Sequence, residues 1–251
     1  MISTNKCFKI ILFIFFLVIL PTTLTLTDLA RIKPPKPAPH PPPLELSIPV
    51  GEKINYDIKK LKLTIGQASI EFNGPVKKNN QDTFLISFSA KSLNFFDEEK
   101  IYLDSKTFYP LIVERNLDIW GKKEMITENY DLQKGVIKII KNSAGKITEQ
   151  TIAKKGPIDN IYGFIYRYRQ KGQIKLGDKL KMSLPTKDVE FQVIDKEKMK
   201  AADREFEAYY MQSTSRDYQV WFENSPRMIP LKIDGAVKFI KASLIMNEYK
   251  K

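Results

Sequence analysis

Hydrophobic and polar residues alternate with a period of two over much of the chain. The alternation is clearest at residues 54–58, 61–65, 84–88, 189–193, 206–210, 218–222 and 240–246. A period of two places successive side chains on opposite faces of a strand, so each segment predicts a strand with one buried and one solvated face. Strands of this kind are typical of antiparallel sheets.

Turn-forming residues separate these segments. Clusters of Asn, Gly, Pro and Asp lie at residues 73–75, 78–81, 142–145, 176–178 and 224–226. We predict a mainly β fold, which is a curved antiparallel sheet or an open or half barrel of about ten to twelve strands. Trp120 and Trp221 lie in strand-like contexts, where they suit core packing or a pocket wall.

One segment departs from the period of two and predicts a short helix at residues 160–170. Asp159 suits its N-cap, and Gly172 suits its end. Two basic residues near the end complement the helix dipole. The apolar stripe consists of Ile161, Phe164, Ile165 and Tyr168, and the basic residues are Arg167 and Arg169. We expect this stripe to pack against the sheet.

The N-terminal region predicts export. Lys6 and Lys9 precede an apolar run at residues 10–20, which Pro21 ends. This run fits the hydrophobic region of a signal peptide and is short for a membrane span. Two alternatives stay open: residues 1–27 are cleaved, which we favour, or an apolar N-terminal helix is kept as an anchor. In both cases we expect the body to lie in the periplasm or cell envelope.

Seven prolines at residues 33–43 separate this leader from the body. Such a segment forms an extended polyproline II helix of roughly 3 Å per residue. We therefore predict a proline-rich linker at residues 28–43 before an exported β domain, residues 44–251. Two interpretations stay open: a plain linker, which we favour, and a tether that holds the domain away from a membrane.

Catalytic chemistry is restricted because His40 and Cys7 are the last histidine and the last cysteine of the chain. The body lacks a thiol nucleophile, a histidine base and zinc ligands of the N or S type. We expect no cofactor, no metal and no enzymatic activity. A carboxylate-only glycan hydrolase remains an alternative if two acidic residues converge in a cleft. The candidates are Asp97, Glu98, Glu99, Glu114, Asp118 and Glu124.

The first three of these carboxylates are adjacent, and runs of charge are usually solvated. We therefore interpret residues 97–99 as a solvated turn.

The chain as a whole carries a net charge of +12, with lysines on nearly every predicted strand. A basic surface attracts anionic lipid or polyanionic envelope polymers, and exposed lysines also prevent strands from aggregating. Because the body is exported, we do not expect nucleic acid as a partner.

The order of several short segments resembles a known family. These segments are GEKINY at 51–56, GQA at 66–68, YLDSKTFYPL at 102–111, the helical segment at 159–169, LGD at 176–178 and PRMIPLKI at 226–233. Together they resemble the bacterial exported proteins grouped as domain of unknown function 3108. The chain departs from the family at residues 202–206, where the family tends to have a glycine turn. The resemblance implies an exported antiparallel β domain, shaped like the half-barrel lipoprotein carriers of the envelope, and implies no reaction.

Two non-catalytic functions follow from the sequence. In the first, the sheet and helix hold a lipid or another hydrophobic ligand, with a basic rim for an anionic head group. The candidate pocket residues are Tyr162, Phe164, Ile165, Tyr166 and Tyr168. In the second, the domain has a filled core and acts as an envelope scaffold that binds another envelope protein. A void of roughly a few hundred Å³ between helix and sheet distinguishes the first from the second.

Overall fold

The structure is a computed structural model that describes residues 46–236 and 242–251. The predicted leader and proline-rich linker lie outside the described residues. The described residues lie within one unit of the chain, residues 44–251. Within the described ranges, no helix combines the length and the hydropathy that a membrane crossing requires.

The described residues form fourteen strands and one helix, so the predicted β fold is confirmed. The strands are β1 (Glu52–Lys60), β2 (Leu63–Lys78), β3 (Gln81–Ser92), β4 (Phe95–Asp104), β5 (Pro110–Ile119), β6 (Lys122–Asp131), β7 (Val136–Ser143), β8 (Lys146–Ala153), β9 (Lys179–Leu184), β10 (Lys187–Ala201), β11 (Arg204–Ser213), β12 (Gln219–Glu223), β13 (Pro230–Asp234) and β14 (Ser243–Lys250). The helix is α1 (Ile161–Gln170). The strand count exceeds the predicted ten to twelve because strands such as β8, which is largely exposed on both faces, show no clear alternation.

All strands belong to one open antiparallel sheet in the order β8-β7-β6-β5-β4-β3-β2-β1-β14-β13-β12-β11-β10-β9. The chain forms two meanders, β1–β8 and β9–β14, which are joined by the pairing of β1 with β14. Strands β8 and β9 are the two edges of the sheet.

The sheet curves around α1. The helix contacts both β4 and β9, which are nine strand spacings apart in the sheet. In a flat sheet these strands would lie about 43 Å apart, whereas a helix with its side chains is only about 10–12 Å wide. Only a strongly curved sheet can bring both strands to the same helix.

Period-two alternation builds the core on the inner face of this curve. In β1, Ile54, Tyr56 and Ile58 are fully buried, while the residues between them are partly exposed. Cross-strand pairing continues the buried row from Ile54 to Ile70 and from Ile70 to Phe88. The inner face of the central strands is therefore apolar.

One predicted turn is a bulge instead. Residues 73–75 lie inside β2, and the register with β3 shifts between Phe72 and Gly74. Gly74 has φ +89°, and a Cβ at this position would lie 2.6 Å from Val50 Cγ1. The glycine therefore allows a bulge within a long strand. The sequence predicts a turn here because bulges and turns favour similar residues.

The departure from the family at residues 202–206 leaves the hairpin intact. Ala202 and Asp203 form the turn between β10 and β11 with φ values of 46° and 55°. Both residues adopt the left-handed conformation that glycine adopts more easily.

The predicted helix is confirmed at Ile161–Gln170, but its N-cap is Asn160 rather than Asp159. Asn160 Oδ1 accepts hydrogen bonds from Tyr162 N at 2.9 Å and Gly163 N at 3.3 Å. Asp159 instead accepts hydrogen bonds from Arg167 Nη2 at 2.6 Å and from the N–H of Ser183 at 2.9 Å. Asp159 thus ties the helix to β9.

Candidate functional site

The helix and the inner face of the sheet pack together through aromatic rings. The ring centroids of Tyr162 and Phe88 are 4.3 Å apart, and those of Tyr166 and Phe72 are 5.8 Å apart. On the other side of α1, Phe164 stacks on Phe191 of β10 at 5.3 Å. The helix therefore joins the two meanders of the sheet.

All five predicted pocket residues are buried in this interface. Their exposed fractions are 2% for Tyr162, 4% for Phe164, 1% for Ile165, 0% for Tyr166 and 4% for Tyr168. Phe164 and Tyr168 also line an open surface pocket of about 280 Å³ between α1 and β9. Their role as ligand-binding residues stays a prediction.

A fully buried ion pair anchors the end of α1. Arg169 Nη1 and Nη2 donate to Glu52 Oε1 at 2.6 Å and Oε2 at 2.8 Å, and both side chains are at most 1% exposed. Arg169 also donates to the carbonyl of Arg227, and the Tyr249 hydroxyl donates to Glu52 Oε2 at 3.2 Å. This pair connects β1, α1, β14 and the loop before β13. Neither residue was singled out as an interacting partner from the sequence.

The acidic residues 97–99 do not form a solvated turn, so that prediction is wrong. They lie within β4, where alternation places Asp97 and Glu99 on the inner face with exposed fractions of 2% and 7%. Arg115 lies opposite Glu99 on β5. It donates to both oxygens of Asp97, at 2.7 and 2.5 Å, and its Nε lies 3.3 Å from Glu99 Oε1.

A polar cavity of about 110 Å³ adjoins this cluster at the start of α1. Its polar lining includes Glu99, Arg115, Glu128, Tyr130, Asp159 and Asn160. Asn160 Nδ2 donates to Glu99 Oε2 at 3.4 Å, and the Tyr130 hydroxyl donates to Glu128. The cavity is smaller than the roughly 300–1,000 Å³ of pockets that enclose small ligands.

The structure brings the hydrolase candidates Asp97 and Glu99 together on the inner face of β4. Of the other candidates, Glu98 and Glu114 both line an open surface groove of about 240 Å³, and Asp118 and Glu124 both line another of about 570 Å³. Asp97 and Glu99 share one guanidinium instead of flanking an open cleft. Glu98 and Glu114 alternate to the outer face, and Glu124 pairs with Lys141 at 2.6 Å. In the described ranges, no group of three or more His, Cys, Asp or Glu side chains is arranged to hold a metal ion.

Burial raises the pKa of two carboxyl groups beside the cavity. Burial raises the pKa of Glu99 to about 7, against the opposing effect of the Arg115 guanidinium. Burial likewise raises the pKa of Asp159 to about 6, opposed by Arg167. Both groups therefore bind protons more tightly in the folded protein than in the unfolded chain.

We expect Glu99→Gln to reduce the pH dependence of stability. A carboxyl group with a raised folded pKa stabilises the fold most below its unfolded pKa, near 4.3, and this contribution is lost as pH rises through 7. Because Gln resembles the protonated acid at every pH, the variant should lose less stability than wild type between pH 5 and 8. Urea unfolding across this range measures the difference, and parallel curves for the two proteins would contradict the assignment.

Comparison with known proteins identifies a family. The model of the family described as "Protein of unknown function (DUF3108)" matches residues 54–244. A search of curated proteins returned no match. One similar solved structure is a "putative lipoprotein from Parabacteroides distasonis ATCC 8503", with 9% sequence identity, 82% of this chain and 98% of that chain covered, and a TM-score of 0.27. A score this low carries no argument about fold or function. The family match covers most of the chain, which therefore belongs to the DUF3108 family of proteins of unknown function.

Proposed function

We propose that this protein is a non-catalytic module of the cell envelope that binds its partner through its outer surface. The observation that carries this proposal is that aromatic side chains fill the space between α1 and the inner face of the sheet. The ring contacts of Tyr162, Phe164 and Tyr166 occupy the space that a carrier would keep open for its ligand.

The dimensions and chemistry of the interior favour this function over a lipid carrier. The cavity at the start of α1 is about 110 Å³ and carries carboxylates and a guanidinium, and the open pocket of about 280 Å³ between α1 and β9 is lined by Arg167 and three lysines as well as by aromatic rings. An acyl chain requires more volume and an apolar lining. The ion cluster of Asp97, Glu99 and Arg115 also favours a structural role over glycan hydrolysis, because it leaves no space for a sugar between the two acids.

The proposed location rests on the leader and the linker. An apolar run followed by seven prolines is typical of an exported domain held near a membrane. Within the envelope, the basic surface suits an anionic lipid, an anionic polymer or an acidic partner protein.

Fatty-acid uptake tests the filled interior. Titration of the intact protein with a fluorescent fatty acid should show no saturable binding that excess unlabelled fatty acid displaces. Native mass spectrometry of the same preparation should show the protein without bound lipid. Uptake of one fatty acid per chain, or a co-purified lipid, would favour the carrier and overturn the proposal.

A further inference from the structure

One end of the sheet carries exposed hydrophobic residues at the tips of its hairpins. Four two-residue turns lie at this end, because consecutive hairpins of a meander turn alternately at opposite ends. The turns are Leu61-Lys62, Leu93-Asn94, Trp120-Gly121 and Ala144-Gly145. We call these turns, with the flanking residues 59–63, 91–96, 118–125 and 143–147, the tip row. Trp120 thus lies in a turn and not in the strand-like context that the sequence indicated.

The first residue of each of these turns is apolar, and three of the four are large and highly exposed. Leu61 is 94% exposed, Leu93 is 93% exposed and Trp120 is 76% exposed. The tip row contains seven of the ten large hydrophobic residues that are exposed in the described part of the chain. The other four are Leu63, Phe96, Met125 and Ile147. Isolated exposed apolar residues are ordinary, but a concentration of this kind marks an interaction surface.

The local backbone conformation does not explain why bulky apolar residues occupy these turns. Leu61 and Trp120 have φ values of 58° and 55°, in the left-handed region that is unfavourable for bulky side chains. Asparagine and glycine form such turns more readily, as Asn79-Asn80 does at the opposite end of the sheet. Folding alone would favour asparagine at these two positions. A bulky apolar residue there indicates a role outside the fold.

Lysines surround the apolar tips. The tip row contains seven lysines against two acidic residues, a formal net charge of +5. Six of these lysines are exposed, and no ion pair involving them occurs among the residues that the structure describes. They are Lys60, Lys62, Lys91, Lys122, Lys123 and Lys146.

The opposite end of the same meander differs in both respects. Its turns lie within residues 77–82, 104–109 and 131–136, which we call the far row. The far row contains four lysines and three aspartates, a net charge of +1, and the large exposed hydrophobic residues of the described chain lie elsewhere. The chain reaches β1 from the far end, so residues 46–51 do not cover the tip row.

We propose that the tip row docks onto an anionic lipid bilayer. Leucine and tryptophan side chains enter the boundary between head groups and acyl chains, and the surrounding lysines remain in contact with anionic head groups. Successive tips of a meander are two strand spacings, about 10 Å, apart, so the four turns span about 30 Å along one end of the sheet. A protein partner fits less well, because lysine is depleted in protein interfaces.

This inference deepens the proposed function by naming the partner of the outer surface. The experiment uses the full chain in two forms: Trp221→Phe leaves Trp120 as the only tryptophan, and Trp120→Phe leaves the buried Trp221. Vesicles of phosphatidylglycerol and phosphatidylcholine should shift Trp120 emission to the blue, and brominated acyl chains should quench it. Vesicles of phosphatidylcholine alone should have little effect, and Trp221 emission should not change with either.

Charge-reversal variants test whether the tip-row lysines contribute to vesicle binding. Lys122→Glu/Lys123→Glu should weaken vesicle binding at least about tenfold, and added salt should weaken wild-type binding. Lys106→Glu/Lys134→Glu, the matched change in the far row, should alter binding by no more than about twofold.

Leu61→Asn/Leu93→Asn tests the apolar tips without endangering the fold, since asparagine suits the left-handed conformation of Leu61 and is common in turns such as that of Leu93. It should weaken binding while leaving thermal stability unchanged or higher.

Three outcomes would overturn the proposal. In the first, Trp120 emission does not respond to anionic vesicles. In the second, the protein sediments with vesicles while Trp120 stays unquenched, which would place the contact elsewhere, such as in the apolar leader. In the third, the tip-row and far-row charge reversals weaken binding equally. None of these results bears on fatty-acid uptake, so the failure of the tip row and the failure of the filled interior are distinguishable.

Discussion

Arg169→Met is expected to lower the free energy of unfolding by about 3–5 kcal/mol, the usual effect of removing one partner of a buried ion pair. The variant leaves the Glu52 carboxylate with no exposed surface and without its two hydrogen bonds to the guanidinium. For a domain of this size the midpoint of thermal unfolding should fall by roughly 10 °C. Differential scanning calorimetry or urea unfolding measures the change.

The double variant Glu52→Gln/Arg169→Met separates the cost of an unpaired charge from the value of the pair. Because no charge remains buried, the double variant should be more stable than Arg169→Met alone. Lys181→Met is the matched control, since it breaks an exposed pair with Glu190 at 3.2 Å and should leave thermal unfolding almost unchanged. A loss below about 1 kcal/mol for Arg169→Met would show that the guanidinium is not held as the structure describes.

Phe72→Ala is expected to cost about 3–5 kcal/mol through the cavity it leaves. The Phe72 ring is fully buried, and its centroid lies 5.8 Å from Phe84, 6.5 Å from Phe108 and 5.8 Å from Tyr166. Its removal therefore loosens contacts within the sheet and between the sheet and α1. Urea unfolding measures the loss, and the near-ultraviolet circular dichroism of the remaining aromatic residues should weaken with it.

Leu93→Ala is the control for this prediction. Leu93 is 93% exposed at a hairpin tip, so truncation removes almost no packing and should leave stability within error of wild type. Similar losses for Phe72→Ala and Leu93→Ala would contradict the assignment of an inner, buried face and an exposed row of tips.

Much of the local structure was predictable. Most period-two segments lie in strands because alternation along a strand is a local property. The segment at residues 61–65 is an exception, because it covers an exposed turn and the exposed start of β2, and residues 240 and 241 lie outside the described residues. The helix is predictable from its different spacing, although its N-cap is Asn160, one residue after the predicted Asp159. The sequence predicts a turn at residues 73–75 where the structure has a bulge, because glycine is favoured in both.

The candidate site was less predictable, because its polar residues resemble ordinary surface residues in the sequence. Alternation along β4 places Asp97 and Glu99 on the inner face, where Arg115 on the next strand pairs with them. Glu52 and Arg169 are 117 residues apart and meet only when α1 folds onto the sheet. A sequence pattern predicts which face of a strand a residue lies on. It does not predict which residue, more than a hundred positions away, will pair with it.

The sequence by itself therefore determined a mainly antiparallel β domain with one packed helix, and excluded thiol and imidazole chemistry from its body, because alternation and composition are local properties of the chain. The tertiary structure decided the pairing of β1 with β14, the filling of the space between α1 and the sheet and the placement of four hairpin tips at one end of the sheet. These features depend on which strands lie side by side and at which end each hairpin turns. Contacts between residues far apart in the sequence set that arrangement, and no short segment encodes it alone.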